Sequence, residues 1–190
     1  MTIGLTGGIG AGKSLISSIL ESLSYPVFNS DKEAKSIVEQ NEIVKNKIIQ
    51  LLGQNAYQDG SYNRPFVANI VFHDADKLKR LNEIIHPVVR QLFKEFAAKQ
   101  ESKLIFNEAA ILFETGAYKS FDKTILVYAN EKVRLNRVIA RDGSNKNEIL
   151  ARFAKQWPDE KKIPLADFII ENNEEKSVLL QLDEILNKLN

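Results

Sequence analysis

The sequence predicts a parallel α/β sheet interrupted by one helical insertion of about 70 residues. Three observations predict it. Short runs rich in branched and aromatic residues alternate with helical patterns, the order of repeated βαβ units. The first run opens through a glycine-rich turn directly into a helical pattern. Between residues 30 and 100 the apolar spacing is almost wholly helical.

Taken in order, residues 2–6 read as a strand and residues 13–23 as a helix. A second strand candidate at 26–29 follows after only a few residues, as expected of parallel strands joined by a crossover helix. Within the insertion, Ile37, Val38, Ile48, Ile49, Leu51 and Leu52 supply one apolar set. Val88, Val89, Leu92, Phe93 and Phe96 recur there at three- and four-residue intervals. His86 precedes Pro87, which suggests a helix start inside the insertion. Strand signals return at 103–107, 124–128 and 167–170. A last amphipathic stripe, Val178, Leu179, Leu182, Ile185, Leu186 and Leu189, reads as a helix covering the sheet.

Composition narrows the function classes. A chain of 190 residues, 44% apolar and 27% charged, forms one compact domain with room for insertions, which excludes disordered and fibrous classes. It has no cysteine, so disulfide scaffolds, thiolate metal sites and cysteine nucleophiles are excluded and a reducing cytosol suits it. The longest apolar run, residues 109–113, is far too short to span a bilayer, and the first residues lack a signal-peptide pattern. A cytoplasmic, membrane-free protein is therefore expected. A net charge of +1 gives no global field for nucleic acid, and none is expected as a partner. Residues 131–162 are the exception, with nine basic residues against five acidic, and form the candidate anion-facing surface.

Gly7-Gly8-Ile9-Gly10-Ala11-Gly12-Lys13-Ser14 fits G-x-x-x-x-G-K-[ST] in full, after a strand and before a helix. Glycines let the backbone amides turn inward around a triphosphate, Lys13 can reach the β and γ phosphates, and the Ser14 hydroxyl can ligate Mg²⁺. The loop predicts a nucleoside triphosphate ligand. By itself it does not separate kinases, GTPase switches and ATPase motors. A guanine-reading N-K-x-D belongs at a strand end, whereas Asn145-Lys146-Asn147-Glu148 ends in Glu and lies in a polar stretch. The chain also lacks room for the second module of a motor.

Asp31 lies just past the second strand candidate, at the carboxyl edge where open α/β sheets bind ligands. A carboxylate there suits an acceptor hydroxyl whose proton must be taken, and equally suits the cap of a helix beginning at Lys32. Arg134, Arg137 and Arg141 share one helical face, either a phosphate clamp or a solvated basic surface. Arg141, before Gly143, is the one best placed to swing. His73 and His86 are the only histidines and do not make a metal site. Trp157 and the 10 Phe read as packing residues, and residues 171–175 as a solvated strand exit.

Together these residues resemble the dephospho-coenzyme A kinase family. Besides the stretch from Gly4 to Ser14, the resemblance rests on Asp31, on Asp59-Gly60 followed by Arg64, and on Val71-Phe72. It continues through Ile85-His86-Pro87-Val88, Leu112-Phe113-Glu114, residues 137–142, Arg152 with Gln156, and Ala166-Asp167 leading to Asn172. The motifs are ordered and spaced as in that family across nearly the whole chain. The resemblance implies a three-layer α/β fold of phosphate-loop kinase type, with the core in residues 1–29, 103–130 and 163–190. It also implies a helical substrate domain over 30–102 and a lid over 131–162.

The implied reaction is ATP-dependent phosphorylation of the ribose 3′-hydroxyl of dephospho-CoA, with Mg²⁺ accompanying ATP. The implied roles are Asp31 as base, Lys13 and Arg141 on the ATP phosphates, Asn172 with the loop in nucleotide binding, Ser14 on the metal, and Asp31, Arg64 and His86 toward the acceptor. This chain departs from the family at three places. Asn29-Ser30-Asp31 stands where the family has Asp-x-Asp, Ala110-Ile111-Leu112-Phe113-Glu114 replaces Pro-Leu-Leu-Phe-Glu, and Lys35 replaces an arginine, keeping charge without the bidentate fork. Glu108, just upstream, is a candidate indirect partner of the metal.

Overall fold

The computed structural model describes residues 1–190. In chain order its elements are β1 (Thr2–Gly7), α1 (Lys13–Ser22), β2 (Val27–Asn29), α2 (Ser30–Gln40) and α3 (Glu42–Leu52). A hairpin of β3 (Tyr57–Gln58) and β4 (Ser61–Tyr62) precedes α4 (Arg64–His73) and α5 (Ala75–Ala98). Then come β5 (Ile105–Glu108), β6 (Lys123–Tyr128), α6 (Glu131–Asp142), α7 (Lys146–Phe153), α8 (Asp159–Lys162), β7 (Phe168–Glu171) and α9 (Val178–Leu189). Two compact units result, one of residues Met1–Asn29 with Lys99–Asn190, the other of Ser30–Ala98.

The first unit is built on a five-stranded sheet in the order β2-β5-β1-β6-β7, every pairing parallel. Strands buried on both faces carry near-continuous apolar runs, as Ile125, Leu126 and Val127 do at 0% exposure. Of these, Ile125 and Val127 join Ile3, Leu5, Ile16, Leu20, Phe106 and Ile170 in one core, closed by Leu182, Ile185, Leu186 and Leu189 of α9. A smaller cluster of Val138, Ile149 and Phe153 joins α6 to α7, and Ile9 packs against it. Because all five strands run the same way, Gly7, Asn29, Glu108, Tyr128 and Glu171 end on one edge, the edge that holds ligands in open α/β sheets.

Several elements begin or end away from their sequence-based positions. Pro26 has no N–H and contributes only its carbonyl, which accepts from Phe106, so β2 starts at Val27. Asp167 stands before β7 rather than in it, because its carboxylate accepts from the Thr124 N–H and hydroxyl and from Lys123. Ser24, at φ 65°, ends the first crossover after α1 has stopped at Ser22.

In the second unit α5 packs against α2, α3 and α4. No helix starts at Pro87, which lies inside the 24 residues of α5. Pro87 is exposed, so the Glu83 carbonyl it leaves without an N–H partner faces the solvent side, where water can serve it. Leu81, Val89 and Phe93 bury the opposite stripe. The insertion also holds the two-stranded hairpin, turned through Asp59 at φ 50° and Gly60 at φ 82°.

Candidate functional site

The glycine-rich loop joins β1 to α1 across the sheet edge. Gly10 and Gly12 have φ of 80° and 102°, the left-handed region that a side chain would strain. Lys13 opens α1, and its Nζ donates to the carbonyls of Gly7 at 2.9 Å and Gly8 at 3.3 Å. The Ala11 N–H closes a turn onto the Gly8 carbonyl at 3.1 Å. Behind the loop, the Asn172 amide donates to the Ala11 carbonyl at 2.8 Å, close enough to Gly12 that a Cβ there would collide with it.

A buried carboxylate sits beneath the start of α1. Glu108, 5% exposed, ends β5 and accepts from Ser17 Oγ at 2.7 Å and from Asn29 Nδ2 at 3.1 Å. Ser14 Oγ lies 3.5 Å from its other oxygen. Asn29, the residue standing where the resembled family has an aspartate, is thus an amide donor to Glu108. A carboxylate at 29 would face Glu108 across that contact, so Asn29 removes a like-charge repulsion that the buried Glu108 would otherwise meet.

The three arginines of α6 do not share one environment, contrary to the face their spacing suggests. Arg134 is 9% exposed, lies against Gly8, stacks over the Phe153 ring at 4.7 Å and pairs with Asp159 at 3.4 Å. Arg137 is half-buried and reaches Asn172 at 3.4 Å and Glu174 at 3.1 Å. Arg141 is exposed and bonds Asp142 through Nε and Nη2, with Arg152 on the same carboxylate at 3.2 Å. The Arg141 hydrogen bond, joined by that from Arg152, holds the Asp142 carboxyl down at about 2. The same bond raises Arg141, so both groups stay charged at neutral pH.

Asp31 lies in the Ser30–Ala98 unit and is the second residue of α2, which begins at Ser30 rather than at Lys32. Asp31 therefore stands inside that helix rather than before it, as an acid in the first turn, where the helix dipole favours its negative form. Arg64 is exposed and opens α4 behind the Asn63 cap. His86 is half-buried in α5, and burial, helped by the Arg90 charge, lowers its pKa. Asn145 accepts from Asn147 and caps α7, so the N-K-N-E string stands at a helix start and not at a strand end.

Sequence reasoning assigned no role to Gln156, whose Oε1 accepts the Ile9 N–H at 2.9 Å. Nor does the sequence mark Lys162, whose side chain is 2% exposed and pairs with Glu114 and Asp159. Glu114 accepts the Trp157 N–H as well. Trp157 makes that bond through its main chain, and at 39% exposed it does not belong to the buried core. Nor is the strand exit wholly solvated, since Asn172 is buried at 7%.

The family model described as dephospho-CoA kinase matches residues 1–177. A dephospho-CoA kinase of Bacteroides fragilis is 34% identical over 185 residues, covering 97% of this chain and 90% of that protein. The crystal structure of TT1252 from Thermus thermophilus superposes with a TM-score of 0.89 at 35% identity, covering 100% and 98% of the two chains. That of a dephospho-CoA kinase from Campylobacter jejuni does so at 0.70 and 28%, covering 99% and 96%. A likeness this long takes in the sheet and the helical insertion along with the loop, and on it the chain belongs to the dephospho-CoA kinase family.

Proposed function

We infer that this chain transfers the γ-phosphoryl group of ATP to the ribose 3′-hydroxyl of dephospho-CoA, giving coenzyme A, the last step of its synthesis. The observation that carries the reading is the complete phosphate loop between β1 and α1 in a chain that matches the family model over residues 1–177.

The chemistry needs positioning and charge more than covalent help. In this reading the loop amides and Lys13 hold the β and γ phosphates, and Arg141 swings from Asp142 onto them. Asp31 orients the 3′-hydroxyl and takes its proton as the oxygen attacks phosphorus and ADP leaves. Arg64 and His86 belong to the acceptor side, Asn172 to the nucleotide side. Residues 30–102 act as the substrate domain and 131–162 as the lid.

Mg²⁺ suits the donors present: the Ser14 hydroxyl, with the Glu108 carboxylate 3.5 Å behind it, offers hard oxygens, and no cluster of three carboxylate or imidazole groups competes for a metal. Ser14 would hold the ion, with ATP phosphates and water as its other ligands, and the ion would supply neutralisation of phosphate charge. ATP and dephospho-CoA are the partners in this reading. A net charge of +1 favours small molecules over nucleic acid, and no helix is long and apolar enough to cross a membrane. A chain without cysteine suits work in the cytoplasm.

The test is coupled ADP release from MgATP with dephospho-CoA, adenosine, a nucleoside mixture or no acceptor. Release that depends on dephospho-CoA, with a 3′-phosphorylated product by mass, is expected. Release that needs no acceptor, or follows the nucleosides, overturns the reading.

A further inference from the structure

A glycine-rich loop is a poor phosphate cradle until something holds its backbone still. Gly8 and Gly10 flank Ile9, and glycines leave the main chain many conformations to lose when a ligand binds. Here the intervening residue is held from outside. The Ile9 N–H donates to Gln156 Oε1 at 2.9 Å, and Gln156 Nε2 donates to the Ala110 carbonyl at 3.1 Å. One carboxamide, with both ends in use, therefore bridges the loop to the chain just beyond β5.

The surroundings keep that bridge in place. The Ile9 side chain packs on the Val138, Ile149 and Phe153 cluster. Gln156 donates its own N–H to the Phe153 carbonyl at 2.9 Å, and its neighbour Trp157 donates to Glu114 at 3.0 Å. Glu114 pairs with the buried Lys162, Lys162 with Asp159, and Asp159 with Arg134, whose guanidinium lies against Gly8. Residues 156–162 are thus fastened on the β5 side, and from there one side chain grips Ile9.

We propose that Gln156 is a positioning residue for ATP. It spends the Ile9 N–H on the protein itself and fixes the loop's main chain, so the cost of ordering the remaining amides is met before the triphosphate arrives. The inference rests on the nucleotide side of the kinase reading and leaves the acceptor untouched.

Gln156→Met keeps nearly the same length and volume without either hydrogen bond. By calorimetry the variant is expected to bind MgATP about tenfold more weakly, the loss of one well-placed hydrogen bond. KM for ATP should rise with it while KM for dephospho-CoA stays unchanged, and amide exchange at residues 8–11 of the nucleotide-free protein should quicken. A lowered Tm with unchanged MgATP affinity makes Gln156 a structural tie only and overturns the proposal. Tighter binding overturns it too, because Gln156 would then compete with the phosphates. Gln156→Asn, one methylene too short to span Ile9 and Ala110, serves if the first variant fails to fold and is judged by the same outcomes. Wild-type protein that binds MgATP yet shows no ADP release with dephospho-CoA sinks the acceptor assignment and leaves the binding comparison intact.

Discussion

Lys13 lies over the carbonyls of Gly7 and Gly8 and is the one cation that the loop sequence itself supplies. Lys13→Ala should cut turnover about 10²-fold or more if, as proposed, the lysine serves charge that develops in the transition state; coupled ADP release checks it. Asp31→Asn, by contrast, should lower kcat strongly while the Kd for MgATP stays near wild type if, as proposed, the carboxylate serves the acceptor hydroxyl. A collapse of nucleotide binding in that variant would instead make Asp31 a nucleotide-site residue. His86 sets a pH dependence. Its folded pKa lies below the ordinary value of 6.5 because burial, then Arg90, disfavours the imidazolium. Between those two values the unfolded chain binds a proton that the folded chain does not, so stability is full above about 6.5 and declines as pH falls through that window. Melting temperatures from pH 7.5 to 5 should fall more for wild type than for His86→Gln.

Elements were legible where one residue pattern decides them and misplaced where a distant partner does. The alternation of strands and helices stands in the sequence because parallel strands buried on both faces must be apolar throughout. Their ends moved by a residue or two at Pro26 and Asp167, where a carbonyl and a carboxylate spend themselves on other strands. Pro87 misled in a different way: a proline after histidine resembles a helix start, yet it sits on the exposed side of α5, where the missing bond is cheapest. Pro87→Ala restores a donor for the Glu83 carbonyl and should stabilise α5 by about 1 kcal/mol or more, net of the added freedom of the unfolded chain. Thermal and urea melts followed by circular dichroism measure it, and a lowered midpoint would show that the proline's geometry is needed in α5.

At the scale of the whole molecule, the sheet unit alone carries the nucleotide loop, so MgATP should raise its melting temperature by several degrees. At a ligand concentration one hundred times Kd the expected gain is about 2.7 kcal/mol, and Lys13→Ala should lose most of it. Differential scanning fluorimetry with and without MgATP separates these outcomes. By itself the sequence determined the loop, its place between strand and helix, the helical character of the insertion and the family. Those signals are local, set by spacing within a dozen residues or by ordered motifs. Only the tertiary structure decided which remote side chains serve the loop. Gln156 on Ile9 joins residues 147 positions apart, a separation at which no local pattern exists, and although the resemblance puts Asn172 with the loop, its bond to Ala11 across 161 positions is seen only in the fold. It also sorted Arg134, Arg137 and Arg141, equivalent by helical spacing, into buried, half-buried and exposed. Phe153 and Asp159, outside the helix, cover the first, Asn172 and Glu174 meet the second, and the third bonds its exposed neighbour Asp142 at the helix end, which Arg152 also pairs with.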